Sequence, residues 1–403
     1  MRLYFLLLFI LFINICFAQD KFSKADLIAR STPITITTSS DFRDLEFIKN
    51  KIDTSLPLFL GESSHTIGDY NRLRVKMIKY LHEQLNYNVI AFEAPFANLK
   101  YVSENRNNLT AEKMLEMGLY YIWRTDDLLD LMNYLKSHPK LQIMGFDCQE
   151  NNIDSLVISA YTSKIENKNS QLARQYVHLL NRFKILMKSN PFEYSSNKLS
   201  ENQQVIQQID SLQKILLNNN LANFDLQFHL QNLKNNCVNY AMFKPVFSKA
   251  NQFRDSVMAE NYLTLTGNLF PNEKVIVWGH NAHLSKKSMD KEYPVSMGEF
   301  LNQKVKFTAI GLYAYSGAYG YGYDYQSRII KKPSKKYLEY HLHNSNFDIT
   351  YVDFTNLPEN SWFHKSFRTL DTRHGVQKIT PNSFFDAVIF FQQVEASKYL
   401  KLN

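Results

Sequence analysis

Glycine and proline are scarce in this chain, at 12 and 11 of 403 residues. That scarcity excludes collagen-like and low-complexity architectures. Cysteine is scarcer still, at three, so no disulfide framework staples the fold. A chain of this length buries a core large enough not to need one. Long apolar runs are also few. Only residues 3–13 form one, and nothing later approaches the roughly 18 continuous apolar residues of a membrane-spanning helix. Familiar catalytic signatures are missing as well. No G-x-S-x-G occurs, which removes the nucleophile-elbow serine hydrolases. His82-Glu83 lacks a second histidine at zinc-helix spacing, and there is no P-loop or dinucleotide fingerprint. Gly317, Gly320 and Gly322 stand in the wrong order and context for phosphate binding. The net charge of +8 is spread along the chain. Its densest basic run, residues 331–336, is interrupted by Pro333 and reads as a solvated loop. Without a basic stripe interleaved with aromatics, a nucleic-acid partner is not expected.

What is present is a globular composition: 45% hydrophobic, 14% aromatic and 21% charged residues. Residues 1–18 have the anatomy of a signal peptide. They run from Arg2 through the apolar stretch to Cys16-Phe17-Ala18, with small residues at −3 and −1 before Gln19. A lipoprotein reading would instead make Cys16 an acylated residue. Cleavage after Ala18 removes Arg2 and lowers the net charge from +8 to +7. The expected product is exported, to a periplasm or outside the cell, with no stable membrane insertion. Its remaining cysteines, Cys148 and Cys237, are either one disulfide or two buried thiols.

Glycine placement divides the chain. After Gly145 none occurs until Gly267, and apolar residues in between recur at helical spacing. Leu172, Tyr176, Leu179, Leu180 and Phe183 form one stripe. Val205, Ile206, Ile209, Leu212, Ile215 and Leu216 form another. Breaks at Asn- and Ser-rich segments near 188–201 and 217–223 suggest about four long helices. Residues 150–266 are therefore expected to be an all-helical insertion. Residues 19–149 and 267–403 alternate short apolar strands with helices. Strands are expected at 56–60, 88–92, 141–146, 274–278, 307–315, 348–354 and 387–391, and helices at 69–85, capped by Asp69, and 126–137, capped by Thr125. Residues 316–345 read as an irregular arm or hairpin. The fold class is α/β: a mainly parallel central sheet flanked by helices, with the insertion roofing the cleft at the carboxyl edge of the strands.

Four strands end in ionisable residues. The first stops at Gly61-Glu62-Ser63-Ser64-His65, the second at Glu93, the third at Asp147, and the fourth at Gly279-His280-Asn281-Ala282-His283. Ligands of open parallel sheets bind beyond the carboxyl ends of the strands, so neighbouring strands would bring these groups together. One such carboxylate is usually a cap or an ion-pair partner; four strand ends doing the same thing point to a site. On the helix that follows strand one, Arg72, Lys76, Lys79 and Glu83 form a polar face. Arg74 shares the other face with Ile78, Leu81 and Leu85, so it should point inward and meet an acid or a substrate oxygen. Acids, histidines and an arginine without an obvious nucleophile suit a histidine-activated water attacking a carbonyl. They also suit a divalent metal.

These residues resemble the erythromycin esterase family. The resemblance rests on Gly61-Glu62-Ser63-Ser64-His65, Arg74, Ala91-Phe92-Glu93-Ala94, Tyr121-Ile122-Trp123-Arg124, Met144-Gly145-Phe146-Asp147 and Val277-Trp278-Gly279-His280-Asn281-Ala282-His283. Met297-Gly298 and Phe385-Asp386-Ala387-Val388-Ile389 extend it to near the end. Ser64 and Thr66 depart from the threonine and glycine expected beside the histidine. The resemblance implies hydrolysis of a carboxylic ester, such as a macrolide lactone, without a covalent intermediate. It implies His65 as general base, Glu62 and Glu93 orienting histidines, and Arg74, His280 and His283 polarising the carbonyl. Trp123, Asp147 and Asn281 would line the substrate pocket; no cofactor is expected, with a divalent metal left open. Two alternatives stand beside it. A more distant likeness to Tiki-type metalloproteases would make Glu62, His65, Glu93 and His283 ligands of a divalent metal that cleaves a peptide or another ester. A non-enzymatic haem or small-ligand binder is the other.

Overall fold

The computed structural model describes residues 22–36, 41–188, 196–243, 246–289, 295–321, 326–371 and 375–401. The expected signal peptide, residues 1–18, lies outside them. Twelve strands are found among the described residues: β1 (Ser31–Pro33), β2 (Leu58–Leu60), β3 (Tyr87–Pro95), β4 (Gln142–Asp147), β5 (Lys274–Trp278), β6 (Thr308–Ala314), β7 (Ala318–Tyr321), β8 (Gln326–Ile329), β9 (Ile349–Asp353), β10 (Phe367–Asp371), β11 (Gly375–Ile379) and β12 (Ala387–Phe391). Eight make one sheet in the order β1-β9-β12-β6-β2-β5-β3-β4. The run from β12 to β4 is parallel throughout, while β9 pairs antiparallel with both β12 and β1. Parallel strands are covered on both faces, which is why these segments read as continuous apolar runs. Val89, Ile90, Ala91 and Phe92 of β3 are fully buried, as are Val277 and Trp278 of β5. The first part of the expected arm forms a strand pair, β7 antiparallel to β8, and its later part holds a short helix at Leu338–Leu342.

Ten helices matter for the site: α1 (Gly68–Leu85), α2 (Phe96–Asn105), α3 (Asp126–Ser137), α4 (Ser155–Glu166), α5 (Ser170–Lys188), α6 (Ser196–Asn218), α7 (Phe224–Phe243), α8 (Phe247–Leu269), α9 (Asn281–Leu284) and α10 (Met297–Asn302). The glycine-poor block holds four long helices of 19 to 23 residues, α5 to α8, preceded by the 12-residue α4. The extra break falls before Ser170, where the Asn169 side chain accepts the Leu172 N–H. Both expected stripes are buried, except that Ile206 and Ile215 are only partly covered. α8 runs on to Leu269, past the boundary expected at 266, because Gly267 is tolerated on an open helix face.

Thr125 caps α3 as expected, accepting the Leu128 N–H. Asp69 does not cap α1. The cap position is Ile67, and Asp69 instead accepts the Glu395 N–H and pairs with Arg72. Tertiary partners outbid the local turn. Lys76 is likewise not part of a solvated face: it is buried against Asp44 at 2.6 Å. Cys148 and Cys237 are buried free thiols, which settles the choice against a disulfide. Among the described residues no helix is long and apolar enough to cross a membrane.

Gly145 ties the fold to the site. β3 bulges between Phe92 and Pro95 where it pairs with β4, and Glu93 sits in that bulge. A Cβ at Gly145 would strike the carbonyl oxygens of Ala94 and Pro95. Gly145→Ala should lower the unfolding free energy by at least about 1–3 kcal/mol. A thermal melt unchanged from wild type would show that the bulge does not depend on this contact.

Candidate active site

The four strand ends are neighbours. Along the sheet they run β2, β5, β3, β4, bringing Glu62 and His65, then His280 and His283, then Glu93, then Asp147 to one edge. Glu62, Arg74, Asp147, His280 and Asn281 are at most 1% exposed, and the most accessible of the set, His65 and His283, reach only 8% and 9%. Charged groups this deep must satisfy one another.

They do so in two networks. In the first, the Glu62 carboxylate accepts the His65 Nδ1–H at 2.7 Å through Oε1, with the Trp123 indole N–H at 3.3 Å on the same oxygen. Its Oε2 accepts a hydrogen bond from Arg74 Nη2, which also donates to Asn71 at 3.0 Å. The Arg74 guanidinium lies on the Trp278 ring, 3.6 Å from its centroid, so one of its faces is covered by an aromatic, while Nε and Nη1 find no hydrogen-bond partner among the described residues. Burial pulls Arg74 down to about 10, with Glu62 opposing. Burial also pushes the His65 imidazole below its ordinary value, against the opposing pull of Glu62.

The second network is centred on Arg254, in the first half of α8. Its Nε and Nη2 grip Asp147 at 3.0 and 2.6 Å, and Nη2 also donates to Glu93 Oε1 at 2.9 Å. Asp255, the next residue, takes the His283 Nδ1–H at 2.6 Å and the Met297 N–H at 3.2 Å. His283 Nε2 lies 3.3 Å from Arg254 Nη1 and 3.5 Å from Glu93. Tyr120 donates to Asp147 at 2.8 Å. Burial alone would raise Glu93; the charges of His283 and Arg254 overcome it and hold the carboxyl well below its usual range. Burial lowers His283, but Asp255 and Glu93 outweigh it and leave the imidazole above its ordinary value.

His280 stands between the networks, its ring centroid 5.1 Å from His65 and 6.3 Å from His283. It caps α9: its Nδ1 accepts the Ala282 N–H at 3.1 Å, while its own N–H goes to Glu93 Oε2 at 3.0 Å. A backbone N–H can only donate, so the Nδ1 of His280 is an acceptor and its proton sits on Nε2. His65 has the opposite tautomer, with Nδ1–H on Glu62 and a lone pair on Nε2. Two neighbouring imidazoles thus present one base and one donor. The hydroxyls beside His65 are engaged elsewhere, Ser63 with Tyr70 and Ser64 with Thr66.

The expected residues all arrive, with some roles changed. Arg74 meets an acid, Glu62, and is enclosed rather than open to substrate. Trp123 and Asp147 have no exposed surface and spend their polar atoms on protein partners. Asn281 is a brace, donating its N–H to the Glu62 carbonyl at 2.8 Å and its amide to that of Leu312 at 3.2 Å. The metal-ligand alternative does not fit. Glu62 and Glu93 are already committed to Arg74 and Arg254, and among the described residues no group of three or more His, Cys, Asp and Glu side chains is arranged to hold a metal ion. Arg254 and Asp255 were not expected. Their signal lay in α8 itself, where Asp255 shares a buried stripe with Met258, Tyr262 and Leu265.

The model of the erythromycin esterase family matches residues 82–394. The chain belongs to that family. A Bacillus subtilis (strain 168) relative, the candidate hydrolase YbfO, is 27% identical over 95% of this chain and 94% of its own. Erythromycin esterase type I of Escherichia coli is 23% identical over 67% of this chain and 72% of its own. The solved structure of an erythromycin esterase mutant in its open conformation superposes with a TM-score of 0.65 at 17% identity, covering 90% of this chain and 96% of that one. Family, fold and the general class of hydrolase are therefore established. The family match begins after Glu62, His65 and Arg74, so those three positions stand on geometry.

Replacing Glu62 by glutamine would leave the Arg74 guanidinium buried without its counter-charge. Glu62→Gln should cost about 3–5 kcal/mol in chemical denaturation. A loss below about 1 kcal/mol would mean the Arg74 charge is balanced elsewhere.

Proposed function

We propose that the protein is an exported carboxylic ester hydrolase that attacks its substrate with water. The observation that carries the reading is the pair of opposed tautomers at His65 and His280. His65 Nε2, its lone pair directed away from Glu62, takes a proton as water adds to the ester carbonyl. His280 Nε2–H donates to the carbonyl oxygen as negative charge develops there. Collapse of the tetrahedral adduct breaks the bond to the alcohol oxygen, and protonated His65 returns its proton to that oxygen. The products are an acid and an alcohol, or one ring-opened chain from a lactone. Glu62 holds the working tautomer of His65, and Arg74 holds Glu62. His283, held by Asp255 at Nδ1 and facing Arg254 and Glu93 with Nε2, orients Glu93.

Kinship with an erythromycin esterase makes a macrolide lactone the first substrate to test, with action outside the cytoplasm as an antibiotic-resistance role. A small ester is the expected partner. Mass spectrometry of a 14-membered macrolide after incubation should show the gain of one water with the mature protein and none with His65→Ala. With the substrate found, kcat/KM should rise with pH through an apparent pKa below the ordinary imidazole value of about 6.5, since burial lowers His65 and only its neutral form is active. Equal turnover by His65→Ala would sink the assignment of the base. An unchanged macrolide beside hydrolysis of other esters would sink only the substrate.

A further inference from the structure

Arg254 and Asp255 are consecutive residues on α8, and neighbours at that spacing do not share a helix face. Both nevertheless reach the site, because α8 is wedged between the end of β4 on one side and α9 with the start of α10 on the other. Arg254 serves the first side, gripping Asp147 and Glu93. Asp255, 1% exposed, serves the second, holding His283 and the first N–H of α10. We propose that this pair is a positioning clamp through which the helical block completes the catalytic centre; the proposal rests on the hydrolase reading above. Neither residue needs to touch substrate. Arg254 acts through Glu93: without its cation, Glu93 and Asp147 would be like charges buried on adjacent strands, and the carboxylate that receives the His280 N–H would lose its anchor. Asp255 acts through His283, fixing which ring nitrogen carries the proton and where the ring points. The helical block is on this account part of the active site, since the donor face of His280 is aimed only while α8 is in place.

The test uses the full mature protein and the ester found to be turned over. Arg254→Ala should lower kcat on the order of 10²-fold while leaving KM nearly unchanged, because a misaimed donor costs rate rather than binding. Added guanidinium at a non-denaturing concentration should restore part of that rate in Arg254→Ala and none in Asp255→Asn. If Arg254→Ala fails to fold, Arg254→Lys keeps the charge but not the two-carboxylate fork, and should show the same selective loss of kcat. A second readout is independent of turnover. A far-downfield imidazole N–H proton resonance should be lost in Asp255→Asn and kept in Glu62→Gln. If that pattern appears but no ester is hydrolysed, the hydrolase reading fails and the clamp stands. If Asp255→Asn leaves every such resonance in place, or the Arg254 variants keep kcat within about twofold of wild type, the clamp is wrong.

Discussion

A fully buried carboxylate at the end of β2 imposes the main constraint on this structure. Glu62 has no exposed surface, so its charge must be met by the protein. Meeting it pins three separate pieces of chain. Arg74 comes from α1, His65 from the loop between β2 and α1, and Trp123 from the turn before α3. Asn281 adds the start of α9 by bonding the Glu62 carbonyl. The glycine at 61 follows from the same crowding, since a Cβ there would strike the Asn281 side chain. One residue, through its carboxylate and its carbonyl, thereby fixes four pieces of chain around the end of β2.

The second network obeys the same rule with more members. Glu93, Asp147 and Asp255 bring three carboxylates together around Arg254, with the His283 imidazole between Asp255 and Glu93. His280 lies where the two networks meet, and a backbone N–H fixes its tautomer. The Ala282 N–H occupies Nδ1, and Glu93 holds the backbone of His280 itself. A base oriented by a carboxylate therefore stands beside a donor oriented by a helix start. Such an arrangement is what the proposed water attack on a carbonyl requires, and the hydroxyls of Ser63 and Ser64 are spent elsewhere.

Much of this was legible in the sequence, for a definite reason. Parallel strands buried on both faces are apolar along their whole length, so the residue where the run stops marks the sheet edge. Glu62, Glu93, Asp147 and His280 were found that way, and the strand order makes them neighbours. Arg74 was found because a lone charge on an apolar helix face must be buried. The same test applied to α8 would have found Asp255; the polar richness of that block hid it. Asp69 and Lys76 failed for the opposite reason. Their local pattern fitted a cap and a solvated face, but Glu395 and Asp44 arrive from far along the chain, and no local pattern announces such partners. What sequence could not decide was which ring nitrogen of each histidine carries the proton, because that depends on the hydrogen bond each Nδ1 makes.

The central claim is that His65 and His280 are held in opposite tautomers at rest. The direct measurement is a long-range nitrogen–proton correlation spectrum of protein labelled with ¹⁵N-histidine, assigned with His65→Ala and His280→Ala. The account predicts the proton on Nδ1 of His65 and on Nε2 of His280 at neutral pH. Both rings in the same tautomer, or His65 protonated on both nitrogens, would contradict it.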